Sequence, residues 1–141
     1  MNTWHYMLDT NIVSHMIRAP EGEVVRRVES VGSATLCISA LVASELRYGA
    51  VKRGSERLSS LVENMLLRLD VVAYESAAAM HYAEIRDQLT RSGNLIGPMD
   101  ILIAAHARAL DLVFVTDNTR EFSRVDGLKV ENWLGDKEVM P

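Results

Sequence analysis

Short apolar runs alternate with segments of helical periodicity along the whole of this chain, and that rhythm limits the fold more than any other feature. Residues 4–8 are an apolar strand ending at Asp9, and Asp9-Thr10-Asn11 offers capping side chains for a helical run over residues 12–17. Pro20 suits a first helical position, Val24, Val25, Val28 and Val31 recur at helical spacing, and Gly32 stops the turn. Residues 35–38 read as a second strand, with Ser39 as N-cap of a helix reaching about Arg53 and Gly54 as its terminator. Leu58, Leu61, Val62, Met65, Leu66 and Leu69 predict another amphipathic helix, and residues 71–74 a brief third strand. A helix over 76–91 gives way to a loop at Ser92-Gly93, Pro98 opens a helix over 99–110, and residues 112–115 are a strongly apolar strand. Residues 125–130 suggest a last strand, with Trp133 packing near the C-terminus. This alternation predicts an α/β fold with a mainly parallel central sheet. No repeat, low-complexity tract or linker interrupts it, so residues 1–141 read as one domain.

Composition narrows the chemistry. The single cysteine, Cys37, excludes an internal disulfide and every cysteine-rich zinc pattern, and its apolar neighbours make it a core residue. No basic segment precedes a long apolar stretch, and no run approaches the ~18 apolar residues of a membrane helix, so a cytoplasmic protein is expected. The net charge of −4 argues, taken alone, against a nucleic-acid partner. That objection softens if several carboxylates converge on a divalent cation.

In open parallel sheets the chemistry sits beyond the carboxyl ends of the strands, so the residues just past each strand end are informative. Asp9 comes after the first strand, and Glu45 lies up to two turns into the helix after the second. Asp100 falls in the first turn of the helix opened by Pro98. Thr116, Asp117, Asn118 and, one turn on, Glu121 come after the strand 112–115. Asp9 alone is equally a helix cap, Glu45 alone a solvated helix residue, Asp100 alone a helix-dipole partner, and Glu121 alone a surface partner of Arg120 or Arg124. Together they bring acids from four segments to one sheet edge. Carboxylates at such spacing repel unless a cation with hard oxygen ligands neutralises them. Mg²⁺ or Mn²⁺ fits better than zinc, because neither His–His nor Cys spacing is present. The arrangement suits in-line phosphodiester hydrolysis. His5, His15, His81 and His106 form no ligand spacing, and His106 reads as a core or interface residue.

The motifs Leu8-Asp9-Thr10-Asn11-Ile12, Ser44-Glu45-Leu46 with Gly49, Gly97-Pro98 with Asp100 and Ile103-Ala104-Ala105-His106-Ala107, and Val115-Thr116 with Asn118 and Arg120-Glu121-Phe122 occur in that order. This succession resembles the PIN-domain toxins of bacterial toxin–antitoxin modules, most closely the VapC group, from residue 7 to about Trp133. The resemblance implies a three-layer α/β/α sandwich and Mg²⁺- or Mn²⁺-dependent endoribonuclease activity. It also implies a cognate antitoxin that blocks the site and a toxin homodimer. Relatives in the group cut transfer RNA in the anticodon stem-loop. By motif, Asp9 and Asp100 correspond to principal metal ligands and Glu45 to a ligand or base, while Thr10, Asn11, Thr116 and Asn118 are expected on the substrate side. An acidic pocket invites an antitoxin arginine or lysine, and the helices at 39–53 and 58–69 offer apolar surface for the rest of that partner.

Two positions depart from the pattern: Met99 stands where relatives often carry a polar residue, and Asn118 stands where many hold their fourth acid. The fourth acid is then Asp117 or Glu121. The expectation favours Glu121, with Asn118 capping a short helix through its side chain and Glu121 in capping-box position, while Asp117 points to solvent. A receiver-type fold would need paired acids after the first strand and a late lysine, which Lys129 does not supply. A catalytically silent PIN domain that only binds RNA or protein is the other alternative, and the complete acidic set argues against it.

Overall fold

The computed structural model describes residues 3–134. Its strands are β1 (Tyr6–Leu8), β2 (Leu36–Ser39), β3 (Asp70–Val72), β4 (Val113–Val115) and β5 (Lys129–Glu131). Its helices are α1 (Thr10–Arg18), α2 (Glu23–Val31), α3 (Ala40–Arg53), α4 (Glu56–Arg68), α5 (Ser76–Ser92), α6 (Pro98–Ala109) and α7 (Thr119–Phe122). The strands form one sheet in the order β3-β2-β1-β4-β5, and every pairing is parallel. The chain therefore builds outward from β1 to β3, then crosses back to β4 on the other side of β1. The neighbours β1 and β4, in register from Tyr6 opposite Val113 to Leu8 opposite Val115, are the point where the winding reverses.

Because parallel crossovers are right-handed, the two directions of winding put helices on opposite faces. On one side α1 packs against α2, α3 and α4, and on the other α5 packs along α6. The result is the expected three-layer α/β/α sandwich, with a sheet that is parallel throughout. Central strand residues Met7, Leu8, Cys37, Ile38, Phe114 and Val115 are fully enclosed, as are Ile12 and Val13 of α1, Ile85 and Leu89 of α5, and Ile103 of α6. The Cys37 thiol, pushed up to about 12 by burial, is an inert core group. Among the described residues no helix is long and apolar enough to cross a membrane.

Local signals that end helices hold up well. Ser39 Oγ accepts from Leu41 N at 3.0 Å to cap α3, and Gly54 closes that helix with φ +64°. Gly32, at φ +89°, stops α2 as expected. Two expectations need correction. Pro20 does not start α2, which begins at Glu23 with Gly22 as N-cap. A Cβ on Gly22 would lie 3.0 Å from Ala19 Cβ, so the close turn between α1 and α2 sets the boundary. The last strand is Lys129–Glu131 rather than 125–130. Val125 is instead buried in the turn after α7, and Gly127 at φ +79° redirects the chain into β5. Trp133 is buried and meets Tyr6 edge-on, with ring centroids 5.1 Å apart.

Candidate active site

The carboxyl edge at the β1–β4 junction gathers the residues singled out above. Asp9 directly succeeds β1, and its N–H donates to Val115 O at 2.8 Å, so the end of β4 fixes its backbone. Its buried side chain caps α1, with Oδ1 accepting from Thr10 N at 2.8 Å. Oδ2 accepts from Thr116 Oγ1 at 2.7 Å and from Asn11 Nδ2 at 3.3 Å. Cap and candidate ligand are thus not alternatives for Asp9: one oxygen caps, while the other faces the residues after β4.

Glu45 projects from α3, and its Oε1 accepts from Thr10 Oγ1 at 2.6 Å. Asp100 lies in the first turn of α6 and is half-buried rather than enclosed, because the exposed Pro98 and Met99 open that turn to the crevice. On the far wall, Asn118 Nδ2 donates to Glu121 Oε1 at 3.0 Å, and Asn118 N donates to Thr116 Oγ1 at 3.0 Å. The anticipated capping box is absent. Asn118 makes no side-chain cap bond to α7, and its N–H is taken by the threonine. The reason is tertiary: the Thr116 hydroxyl, fixed by Asp9, lies closer to hand than the Glu121 carboxylate, which the Asn118 amide then binds.

Electrostatics tie the set together. The Asp100 carboxyl is raised from 3.8 to about 6, first by burial and then by the charges of Asp9, Glu45 and Glu121. Asp9 is also raised, mainly by burial; hydrogen bonds from Thr116 and Thr10 oppose this, and the charge of Glu45 adds to it. Asp117 does not act on Asp100. It is exposed, accepts from Asn132 Nδ2 at 3.4 Å, and its N–H donates to Asn11 Oδ1 at 3.0 Å.

Thr10, Asn11, Thr116 and Asn118 each direct a donor at one of the acids, an arrangement that strand-end spacing alone does not predict. His106 is buried, with Nδ1 2.8 Å from Ser39 Oγ, and is a core residue as expected. Beside Thr10 and Glu45 opens a cavity of about 260 Å³, lined also by Ser14, Gly49 and the helix-terminal Arg18 and Arg53. Sequence reasoning missed these two arginines. Each reads as an ordinary C-terminal helix cation, and only the packing of α1 on α3 brings them together.

The donor set suits a hard divalent cation. It consists of carboxylate oxygens, and among the described residues no lysine or arginine pairs with Asp9, Glu45, Asp100 or Glu121. No three of the described acids, histidines or cysteines lie close enough to hold an ion jointly as they stand. The carboxylate donors themselves suit Mg²⁺, which is gripped by one or two of them and keeps several waters.

Comparison with known proteins agrees with this geometry. The PIN domain family matches residues 6–128. The tRNA(fMet)-specific endonuclease VapC of Shigella flexneri is 43% identical over 129 residues, covering 91% of this chain and 97% of the relative. Ribonuclease VapC2 of Haemophilus influenzae is 42% identical over 130 residues, covering 92% and 98%. Among solved structures, DNA-bound VapBC from Salmonella typhimurium superposes with a TM-score of 0.86 at 39% identity, over 92% of this chain and 98% of that one.

Proposed function

This chain belongs to the PIN-domain family, within its VapC ribonucleases, and on that premise we propose that it is the toxin of a toxin–antitoxin module, a divalent-metal-dependent endoribonuclease acting on transfer RNA. The observation that carries the chemistry is the Asp100 carboxyl, held near 6 by burial and by three other acids from separate segments, with no cationic side chain among the described residues to relieve it. Asp9 and Asp100 would hold Mg²⁺ or Mn²⁺, with Glu45 closing in as a third ligand or serving as a base, and the ion when bound supplies positive charge to the phosphoryl oxygens and makes water a better nucleophile.

The chain's own residues do the rest. Thr116 and Asn11 aim one oxygen of Asp9 into the crevice, and Thr10 orients Glu45. Glu121, braced by Asn118, takes a proton from the attacking water as the water oxygen bonds to phosphorus and the bond from phosphorus to the ribose oxygen breaks, the leaving oxygen taking up a proton from solvent. Thr10 and Thr116 line the substrate side with their single hydroxyl protons spent on Glu45 and Asp9, and the amide hydrogens left on Asn11 and Asn118 meet the RNA.

The names of the relatives support transfer RNA as substrate and a VapB-type antitoxin as partner. An antitoxin arginine entering the crevice would compete with the cation, and the exposed Tyr48 and Val51 of α3 and Leu61 and Leu67 of α4 offer apolar contact to the rest of that partner or to a second toxin copy. The test is to map RNA 5′ ends after brief bacterial expression of wild type and Asp100→Asn, and to repeat cleavage in vitro with Mg²⁺, Mn²⁺ and chelator. New ends are expected with wild type alone, and only with metal. Equal cleavage in excess chelator, or by Asp100→Asn, refutes the assignment, and RNA binding without cleavage would identify a silent module.

A further inference from the structure

Beneath the four acids the fold buries a polar chain that the reaction does not use. Ser39 and His106 are almost completely enclosed, at 0% and 2% exposure. His106 Nδ1 lies 2.8 Å from Ser39 Oγ, and Ser39 Oγ accepts from Leu41 N at 3.0 Å. The imidazole also bonds the backbone of Ala73, just beyond β3, and the Tyr74 ring stands edge-on to it at 5.5 Å between centroids.

These partners assign the tautomer. A carbonyl only accepts, so the nitrogen facing Ala73 carries the proton; Nδ1 is occupied by Ser39, so that nitrogen is Nε2. Nδ1 is then an acceptor, and the Ser39 hydroxyl donates to it. Direction is fixed along the whole run, from Leu41 N–H through Ser39 O–H and His106 Nε2–H to the Ala73 carbonyl. No donor or acceptor in the run is left without a partner.

Its placement matters more than its strength. Ser39 is the cap of α3, six residues before Glu45, and His106 lies on α6, six residues after Asp100. The two helices that carry these carboxylates touch, and this pair is a buried polar bond between the start of one and the last turn of the other. Apolar packing alone tolerates sliding, whereas a hydrogen bond with fixed donor and acceptor sets a register.

We propose that Ser39 and His106 are positioning residues, whose buried bond locks α6 to the start of α3 and so fixes the separation of Asp100 from Glu45. This rests on the reading of those carboxylates as two of the four catalytic acids.

The experiment compares full-length Ser39→Ala, His106→Leu, His106→Asn and the Ser39→Ala/His106→Leu double variant. Asn is informative because its Oδ1 reaches the place of Nδ1 and accepts from the serine. Ser39→Ala and His106→Leu should each lower kcat on RNA ~10-fold or more while KM stays within ~2-fold, the pattern of displaced catalytic groups. His106→Asn should recover most of the loss, and the double variant should be no worse than Ser39→Ala, which already removes the shared bond together with the α3 cap. A second readout needs no activity: the carboxyl ¹³C resonances of Asp100 and Glu45 should move in Ser39→Ala and return towards wild type in His106→Asn. If His106→Leu does not fold, Ser39→Ala against His106→Asn decides. Unchanged kcat in Ser39→Ala with both resonances in place overturns the proposal, as do additive losses or equal losses in Asn and Leu. If wild type cuts no RNA, the functional reading fails, and the resonances alone judge the positioning role.

Discussion

Replacing Asp100 by Asn should make the metal-free protein more stable while making it inactive. The Asp100 carboxyl sits at about 6 in the folded chain, against 3.8 as its ordinary value. Folding therefore favours the protonated acid. That contribution is fully present below pH 3.8 and is lost as pH rises through about 6, so at pH 8 the ionised group weighs against the fold. The whole displacement corresponds to at most ~3 kcal/mol. Asp100 is only half-buried, and solvent screening of such a group leaves on the order of 1 kcal/mol. Asn keeps the shape and removes the charge. In chelator at pH 8 the variant should thus melt ~2–4 °C above wild type, the shift expected of ~1 kcal/mol in a chain of this size. The gap should close as pH falls towards 4.5, where wild type becomes protonated.

The assay is thermal unfolding by circular dichroism across that range, repeated with Mn²⁺. The cation binds only the folded wild type, adding ~2.7 kcal/mol at 100 times its Kd, so metal should reverse the order of the two melting curves at pH 8. A variant no more stable than wild type in chelator at pH 8, or a gap independent of pH, would show that the four carboxylates do not share one field.

Three further outcomes rest on the same geometry. Glu121→Gln should slow cleavage by at least ~10-fold, about 1.4 kcal/mol in the barrier, while Asp117→Asn should be much milder; the reverse ranking in a single-turnover assay would move the fourth acid to Asp117. Thr116→Val removes the hydroxyl that donates to Asp9 at 2.7 Å and receives Asn118 N at 3.0 Å, so it should raise the Mn²⁺ concentration for half-maximal activity several-fold, with Thr116→Ser near wild type; an equal effect of both would point to the methyl group instead. Metal affinity measured calorimetrically should weaken as pH drops below about 6, because protons and the cation compete for Asp100, and a flat profile from pH 5 to 8 would exclude that competition.

The residues legible in the sequence are those whose placement depends on a strand end or a helix start alone. Asp9 is where an apolar strand stops, Glu45 is at a fixed distance beyond the next, and Asp100 is in the first turn after a Gly-Pro; a parallel sheet carries each to the same edge without further information. The preference for Glu121 over Asp117 rests instead on the turn after β4, where Asp117 is expected to face solvent, and the charge of Glu121 is among those that raise the Asp100 carboxyl. The local chemistry of that turn is not legible, because it pits nearby partners against distant ones. A capping box uses only residues within four of one another, but Asn118 N–H finds Thr116, itself directed by Asp9, more than a hundred residues away in sequence.

Pro20 fails as a helix start for a related reason, since the contact of Gly22 with Ala19 and His15, not proline geometry, decides where α2 begins. His106 shows the limit most plainly. Its apolar neighbours identify a core histidine, but the Ser39 hydroxyl it faces lies 67 residues away on another element, and its tautomer depends on a third, at Ala73. A fully buried imidazole is stabilised by partners for its nitrogens, so the burial of His106 favours a polar bond across the core. Which two helices that bond joins is a property of the winding, and here the winding joins the two that carry Asp100 and Glu45.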